Sequence, residues 1–267
     1  MGRPEPSKPR SSGTRPPGAE VDGAVTPRRY RRPMDDGLPR VTARQLARAE
    51  RTCPRRLALD VAGQQANRPA DRQYRILNQV EGDARLAHAT LGRPQPEHFP
   101  ATDDLVPEER RIYDVAARWY VAQFGDQAMV VADEGTDAFE TTAPRTGVRL
   151  VGPAGLALED ATGGRELRLL SLGNPASEEV LDAPSTRFAL LRRARWTMAG
   201  PLRVVRADLL VGWAQAVDVD GVAVWDDLRA WFEERVAVVR ARADRDTPVA
   251  GWECARCRYI AGCKALR

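Results

Sequence analysis

Four cysteines are the residues of this chain whose type and spacing are best suited to binding a metal. Cys254, Cys257 and Cys263 lie close together near the end of the 267-residue sequence, in the pattern C-x2-C-x5-C. Cys53 is the fourth, and 200 residues separate it from Cys254. Thiolates two residues apart can bind one metal centre from a tight turn, and a third can return to it after a short loop. A tetrahedral zinc ion or a cubane cluster then needs one more ligand, which Cys53 can supply.

The wide separation of Cys53 from the other three cysteines favours one kind of centre. Zinc motifs usually contain two close pairs of ligands, whereas a distant fourth cysteine is more typical of a [4Fe–4S] cluster. We therefore expect a [4Fe–4S] cluster on the four cysteines, with zinc, disulfides or unlinked thiols as the alternatives. Closing so long a loop would remove on the order of 4–5 kcal/mol of unfolded-chain entropy, by analogy with a disulfide, so the centre is expected to be structural.

Composition and charge limit the class of protein. Hydrophobic residues make up 43% of the chain, which is enough for a substantial core. The sequence shows no secretory leader and no run of about 18 apolar residues, so it predicts a cytoplasmic protein without a membrane segment. Residues 1–40 contain nine basic and five acidic residues, whereas the remaining 32 basic and 32 acidic residues balance. Nucleic-acid binding by the folded part would therefore need a local basic patch.

Periodicity divides the chain into a tail and one folded domain, with the boundaries 1–40 and 41–267. The tail is rich in Pro, Gly, Ser and Arg and is predicted to be disordered. The domain is predicted to have a helical part (41–125), a sheet core (126–245) and a cysteine segment (246–267). The expected helices are 43–62, split or kinked at Pro54, then 72–91, 107–124, 184–198 and 224–243. The expected strands are 128–131, 147–151, 155–159, 166–172, 202–211 and 213–217, and 133–140 is expected to be a solvated acidic loop.

These elements and the cysteine pattern resemble the RecB-like branch of the PD-(D/E)XK nuclease superfamily, in the AddB-type subgroup that carries an iron–sulfur cluster. Residues 42–46 followed by Cys53-Pro54-Arg55-Arg56 look like the family's N-terminal helix, and the C-terminal cysteine trio also matches. Residues 82–88 resemble the motif that places a metal-binding histidine, His88. The resemblance covers residues 41–267. It implies an α/β (α+β) fold with a restriction-endonuclease-like core, a central mixed sheet flanked by helices, and DNA and a helicase or nuclease as partners.

The catalytic centre is where the sequence departs from that family. Its members bind Mg²⁺ or Mn²⁺ through a carboxylate after a Gly-x-x turn and through an Asp/Glu-x-Lys triplet on the following strand. In this chain Gly155 stands at the carboxylate position, Ser171 at the acid and Gly173 at the lysine. The Gln-x-x-x-Tyr signature of the next helix is also absent. Because hard divalent cations need oxygen ligands, we expect neither Mg²⁺ nor Mn²⁺ here, with His88 as a weak remaining candidate ligand.

The sequence therefore favours a catalytically inactive nuclease-family protein that binds nucleic acid or a partner protein. Its best candidate phosphate-binding surface is a basic helix that carries Arg187, Arg192, Arg193 and Arg195, with Arg203 and Arg206 nearby. The alternative is that these arginines form a solvated helix face without a binding role.

Two other functions remain open from the sequence. One is an active metal-dependent DNA exonuclease or endonuclease in which Glu159, Asp160 or Glu166 has taken over the lost acidic positions. The other is a zinc-bound interaction module with no role in nucleic-acid binding.

Overall fold

The computed structural model describes residues 38–62, 72–100, 104–132, 140–143, 146–152, 154–173 and 179–245, together with residues 247, 249, 254, 257 and 263. Residues 1–37 of the predicted tail lie outside the described residues, as do residues 133–139 of the predicted acidic loop. None of the described helices has the length and apolar character that crossing a bilayer requires.

The described part of the chain is a mixed α/β structure. Its seven α-helices are α1 (Ala43–Arg48), α2 (Pro54–Val61), α3 (Arg72–Leu91), α4 (Pro107–Phe124), α5 (Pro184–Arg192), α6 (Ala194–Thr197) and α7 (Trp225–Ala243), and short 3-10 helices cover Ala49–Arg51 and Pro96–His98. Its eight strands are β1 (Arg40–Val41), β2 (Val130–Val131), β3 (Glu140–Ala143), β4 (Val148–Val151), β5 (Leu156–Glu159), β6 (Arg165–Ser171), β7 (Pro201–Asp208) and β8 (Trp213–Asp220).

Local sequence explains where the helices begin and break. Thr42 accepts a hydrogen bond from the Gln45 N–H and Gln45 accepts one from the Thr42 N–H, a capping box that starts α1. The predicted break at Pro54 is confirmed, because proline has no N–H to continue a helix and instead occupies the first turn of α2. The predicted helices 72–91 and 107–124 are also confirmed.

A mixed five-stranded sheet in the order β2-β5-β6-β7-β8 lies at the centre of the described structure. β6 and β7 run parallel and are connected through α5 and α6, whereas the other neighbouring strands are antiparallel. A smaller sheet has the order β1-β4-β3, with β1 parallel to β4. The predicted mixed sheet with flanking helices is therefore present.

Two hydrophobic cores lie on opposite faces of the five-stranded sheet. Alternate residues of a strand point to opposite faces, so Val204 of β7 belongs to one core and Val205 to the other. The first core includes side chains from α1, α2, α5 and α7, and the second includes side chains from α3 and α4. The sheet therefore separates two helical layers.

Several local predictions were wrong. The predicted helix 184–198 is interrupted at Arg193, whose backbone leaves the helical region at φ −108° and ψ 37°. Glu140 begins β3 rather than lying in a loop, and β1 was not predicted, since neither short strand has a distinctive alternation. On α3 the buried stripe follows Ile76, Val80, Ala84 and Ala87, a stripe too narrow to include the neighbouring apolar positions. Helical spacing also predicts that Tyr74 and Leu86 of α3 and Val115 of α4 point inward, but all three are exposed.

Candidate functional site

Cys53 lies at the junction between the 3-10 helix and α2, where the chain turns. It is the N-cap residue of α2, with φ −53° and ψ 128°, and its carbonyl accepts a hydrogen bond from the Leu57 N–H at 2.9 Å. Its side chain is half-buried, as are those of Cys254, Cys257 and Cys263. The helical spacing of apolar residues from Leu46 to Val61 predicts that Cys53 lies on a buried helix face. This prediction is corrected, since Pro54 ends the helical pattern there and places the thiol at a turn.

Val249 brings the first cysteine and one of the last three together. Its backbone N–H donates to the Cys53 sulfur at 3.4 Å, and its carbonyl oxygen lies 4.0 Å from the Cys254 sulfur. The Cys257 N–H donates to the Cys254 carbonyl at 3.0 Å, which closes a tight turn between these two cysteines. N–H donors to cysteine sulfur are among the contacts that tune iron–sulfur centres. Cys53 and Cys254, distant in sequence, thus contact one residue.

Further contacts join the two ends of the domain beside Cys53. Arg242 near the end of α7 donates from Nε to the Thr52 carbonyl at 2.9 Å, and the Arg55 N–H donates to the Thr247 carbonyl at 3.4 Å. Two turns earlier on α7, Arg235 donates to the Leu46 carbonyl and forms a bidentate ion pair with Glu50. That pair lowers the pKa of the Glu50 carboxyl. The neighbourhood of Cys53 and Cys254 is therefore fixed by contacts that do not involve sulfur.

The fourfold arrangement of sulfur atoms is not itself present. Within the described residues, no group of three or more His, Cys, Asp or Glu side chains is placed to hold a metal ion. The chemistry of the four thiols and the shared contact of Cys53 and Cys254 with Val249 fit a cluster. The positions of Cys257 and Cys263 do not complete one in this conformation.

Gly155, the position where the resemblance leads us to expect a catalytic carboxylate, has no room for a side chain. Its φ is +69°, and a Cβ there would lie 2.6 Å from the Arg168 carbonyl oxygen and 2.7 Å from Leu169 Cδ2. Its own carbonyl accepts hydrogen bonds from Arg193 at 2.8 Å and from Arg85 at 3.4 Å. Guanidinium groups therefore contact the turn at which the family places an acidic metal ligand.

Ser171 and Gly173, the other two altered positions, both contact a carboxylate that sequence reasoning missed. Asp208, at the end of β7, is fully buried and is the register partner of Ser171. Its Oδ2 accepts from the Ser171 hydroxyl at 2.9 Å, and its Oδ1 accepts from the N–H groups of Gly173, Leu210 and Val211 at 2.9–3.1 Å. Four donors occupy its oxygens, so Asp208 is arranged to close the turn after β7 and not to bind a cation. An Asp at a strand end before a turn was the available signal.

His88, the weak catalytic candidate, is fully buried and both of its ring nitrogens have partners. Nδ1 lies 2.8 Å from the Met129 carbonyl, which only accepts, so Nδ1 carries the proton. Nε2 then accepts from the Tyr120 hydroxyl at 3.0 Å, and Arg168 lies 3.3 Å from the same nitrogen. This corrects the expectation of a metal-binding histidine, because the nitrogen with a lone pair faces a hydroxyl and a cation.

Arg168 is the centre of the cluster that contains His88, and it too was missed. It is fully buried between Leu167 and Leu169 on β6, and it ion-pairs with Glu166 on the same face. It also donates to Tyr120 at 2.8 Å and to Gln127 at 3.0 Å, and its guanidinium carbon lies 3.7 Å from the ring centroid of Phe124. An Arg two residues after a Glu on a core strand was the sequence signal.

The buried imidazole makes stability depend on pH in a defined direction. Burial, opposed by the Met129 hydrogen bond and assisted by the Arg168 charge, lowers the pKa of His88 from 6.5 to about 4. The unfolded chain therefore binds a proton that the folded protein does not. Stability is complete above pH 6.5 and falls as the pH drops toward 4. We expect a loss of about 2 kcal/mol between pH 7 and pH 5.

Urea unfolding at a series of pH values measures this loss. Since other groups titrate in the same range, the test is the difference between the parent and His88→Gln, whose stability should be lower but less dependent on pH. Parallel pH profiles for the two proteins would show that His88 is not the titrating group.

The acids considered as replacements are already engaged in other contacts. Glu166 pairs with Arg168, and Glu159 accepts from the Trp196 indole N–H at 3.3 Å. Asp160 accepts from the Thr162 hydroxyl and from turn N–H groups, which lowers the pKa of its carboxyl. Glu166 and Asp160 line a cleft of about 580 Å³ between the C-terminal end of α4 and strands β6, β7 and β8. Ser171 is at the opposite end of β6, so these acids do not rebuild the lost site.

The basic helix does not form one phosphate-binding surface. Arg192 and Arg193 are buried and donate to carbonyls of the turn before β5, at Gly152, Ala154 and Gly155. Arg187 pairs with Asp182 and Asp227, whereas Arg195 and Arg203 are exposed. The prediction of a phosphate-binding helix was wrong for Arg192 and Arg193, because both side chains are buried against backbone carbonyls.

No protein-family model matches the sequence, and the comparison with curated proteins returns no significant match. A family assignment for this chain therefore depends on its own motifs and geometry.

Proposed function

We propose that this chain is a catalytically inactive member of the RecB-like branch of the PD-(D/E)XK nuclease superfamily, with a structural [4Fe–4S] cluster. In this proposal Cys53, Cys254, Cys257 and Cys263 hold the cluster, and the protein binds nucleic acid or a partner protein such as a helicase or another nuclease. The observation that carries the proposal is the shared contact of Cys53 and Cys254 with Val249. A cluster there would cross-link the two ends of the domain.

The order and pairing of the elements support the family proposal. Helices precede an antiparallel pair, β5 and β6, and a helical crossover then leads to β7, which is parallel to β6. That arrangement is compatible with a restriction-endonuclease-like core. The proposed assignment to the RecB-like branch also relies on the spacing of the four cysteines.

The three altered positions support the absence of catalysis. Two-metal hydrolysis of a phosphodiester needs oxygen ligands that hold cations on both sides of the reacting phosphorus. Gly155 has no space for a carboxylate, and Ser171 and Gly173 are bound to an Asp208 whose oxygens already accept four hydrogen bonds. None of these residues is therefore available to hold a cation or to activate water.

A cleavage assay with metal analysis tests this proposal. Protein purified without oxygen should contain about four iron atoms per chain and show the brown colour of a cluster. It should leave single- and double-stranded DNA and RNA intact with either Mg²⁺ or Mn²⁺, because Gly155, Ser171 and Gly173 supply no carboxylate ligand for these ions.

Each of the other functions gives a different result in that assay. Cleavage that disappears in Glu166→Gln or Asp160→Asn would identify an active nuclease with relocated acids, and cleavage that disappears in His88→Ala would end the proposal of an inactive centre. A colourless protein loaded with zinc would instead favour an interaction module.

A further inference from the structure

Three exposed arginines lie around the junction at Cys53. Arg48 ends α1, Arg51 ends the 3-10 helix, and Arg245 follows the end of α7. All three are exposed, and within the described part of the chain none of their side chains forms a hydrogen bond or ion pair. We name Arg48, Arg51 and Arg245 the arginine patch.

Hydrogen bonds link the chain segments that carry the arginine patch. The Arg48 carbonyl accepts from the Thr52 N–H at 3.0 Å, and Thr52 is in turn bound by Arg242 from α7. The Arg245 carbonyl accepts from the Thr247 hydroxyl at 2.7 Å, and Thr247 accepts from the N–H of Arg55. The segments that carry the patch therefore come from both ends of the domain and are linked by these contacts.

Acidic residues near the patch do not cancel its charge. Residues 48–60 contain four arginines and two acids, and residues 240–246 contain three arginines and two acids, so the two segments together carry a net charge of +3. Of the acids, Glu50 is paired with Arg235 and Asp60 with Arg56. Because residues 41–267 as a whole contain equal numbers of basic and acidic residues, this is a local concentration of positive charge.

The long helix α7 carries negative charge in its first half and positive charge in the half that leads to the arginine patch. Its first ten residues, 225–234, carry four acids and one arginine, and its last nine, 235–243, carry three arginines and no acid. Nineteen residues span about 28 Å, which is well beyond the Debye length of about 10 Å at 0.1 M salt. Acids in the first turn and arginines in the last also favour the helix dipole. Arg48 and Arg51 lie outside α7, so the dipole does not account for them.

We infer that the arginine patch is the surface on which this protein binds the phosphate backbone of nucleic acid, beside its cysteine centre. That the partner is a nucleic acid rests on the proposed function. The location of the surface rests on the exposure of the three arginines and on the local positive charge. It replaces the basic helix of α5 and α6, whose arginines are partly buried. Binding through phosphate contacts is independent of base sequence and depends strongly on salt.

The test measures binding of a fluorescein-labelled DNA duplex by fluorescence anisotropy at several salt concentrations. The triple variant Arg48→Gln/Arg51→Gln/Arg245→Gln should bind about 100-fold more weakly at about 0.15 M salt. The slope of log K against log salt should fall in magnitude by about 2.7, since each lost phosphate contact removes about 0.9. The matched control, Arg93→Gln/Arg111→Gln/Arg118→Gln, removes three exposed arginines associated with α3 and α4, on the other side of the sheet. It should bind like the parent.

Thermal melting and iron content should be unchanged in both triple variants, which separates loss of binding from loss of fold. If the patch variant binds DNA like the parent, the patch inference is overturned while the proposed function stands. The same conclusion follows if Arg195→Gln/Arg203→Gln alone abolishes binding. If the parent binds neither DNA nor RNA, the patch inference and the nucleic-acid part of the proposed function both fail, and a partner protein remains.

Discussion

Replacing Cys53 with serine is expected to release the iron and to lower the free energy of unfolding of the whole domain by about 5 kcal/mol. A cluster bound by Cys53 and by the cysteines after α7 closes a loop of about 200 residues, and opening that loop returns its entropy to the unfolded chain. Cys257→Ser should have the same effect, because a cluster holds its ligands as one unit. Visible absorbance and iron content report the cluster, and urea unfolding without oxygen reports the stability.

Val249→Ala is the matched control for the cysteine variants. It truncates a half-exposed side chain next to Cys53 and Cys254 but keeps the N–H and carbonyl that contact their sulfur atoms. We expect this variant to retain iron and to unfold like the parent. If Cys53→Ser also unfolds like the parent, the four cysteines do not form one centre, and the proposed family assignment loses its main support.

The second large effect is expected at Arg168, whose replacement by methionine should destabilise the domain by about 3–5 kcal/mol. The guanidinium is fully buried, and its removal leaves Glu166 as an uncompensated buried charge and takes a donor from Tyr120 and Gln127. Methionine has a similar length, so the loss measures charge and hydrogen bonding more than volume. Urea unfolding at neutral pH gives the difference.

Two further variants show whether the buried pair is the cause. Arg168→Met/Glu166→Gln removes both charges and should recover much of the stability lost in the single variant. Arg203→Met is the matched control on the neighbouring strand, where Arg203 is the register partner of Glu166 but is exposed, and it should change stability by less than about 0.5 kcal/mol. Equal losses for Arg168→Met and Arg203→Met would show that the buried cluster contributes no special stability.

Helix boundaries were the part of the fold most accessible from sequence. α3 and α4 have long apolar periodicity, and Pro54, Pro107 and Gly125 mark starts and ends through local backbone chemistry alone. β1 and β3 were missed because a strand of two to four residues is stabilised by its partner and not by its own pattern.

The candidate site, like the fold, could be predicted from the sequence only in part. From the sequence come the predictions of a cysteine centre and of altered catalytic positions at Gly155, Ser171 and Gly173, since residue type and spacing decide which groups can bind a metal. The sequence did not identify the burial of Arg192 and Arg193, because a run of arginines looks the same whether it faces water or backbone carbonyls.

By itself, then, the sequence determined the helical elements, the mixed α/β class and the residues capable of metal chemistry, because these depend on side-chain type and local spacing. Only the tertiary structure decided which groups meet. It brought Cys53 to Cys254 through Val249, enclosed His88 with Arg168, and bound Asp208 to Ser171. These contacts join residues 37 to 201 positions apart, and such partners are selected by the packing of the two cores on the sheet, which no local pattern specifies.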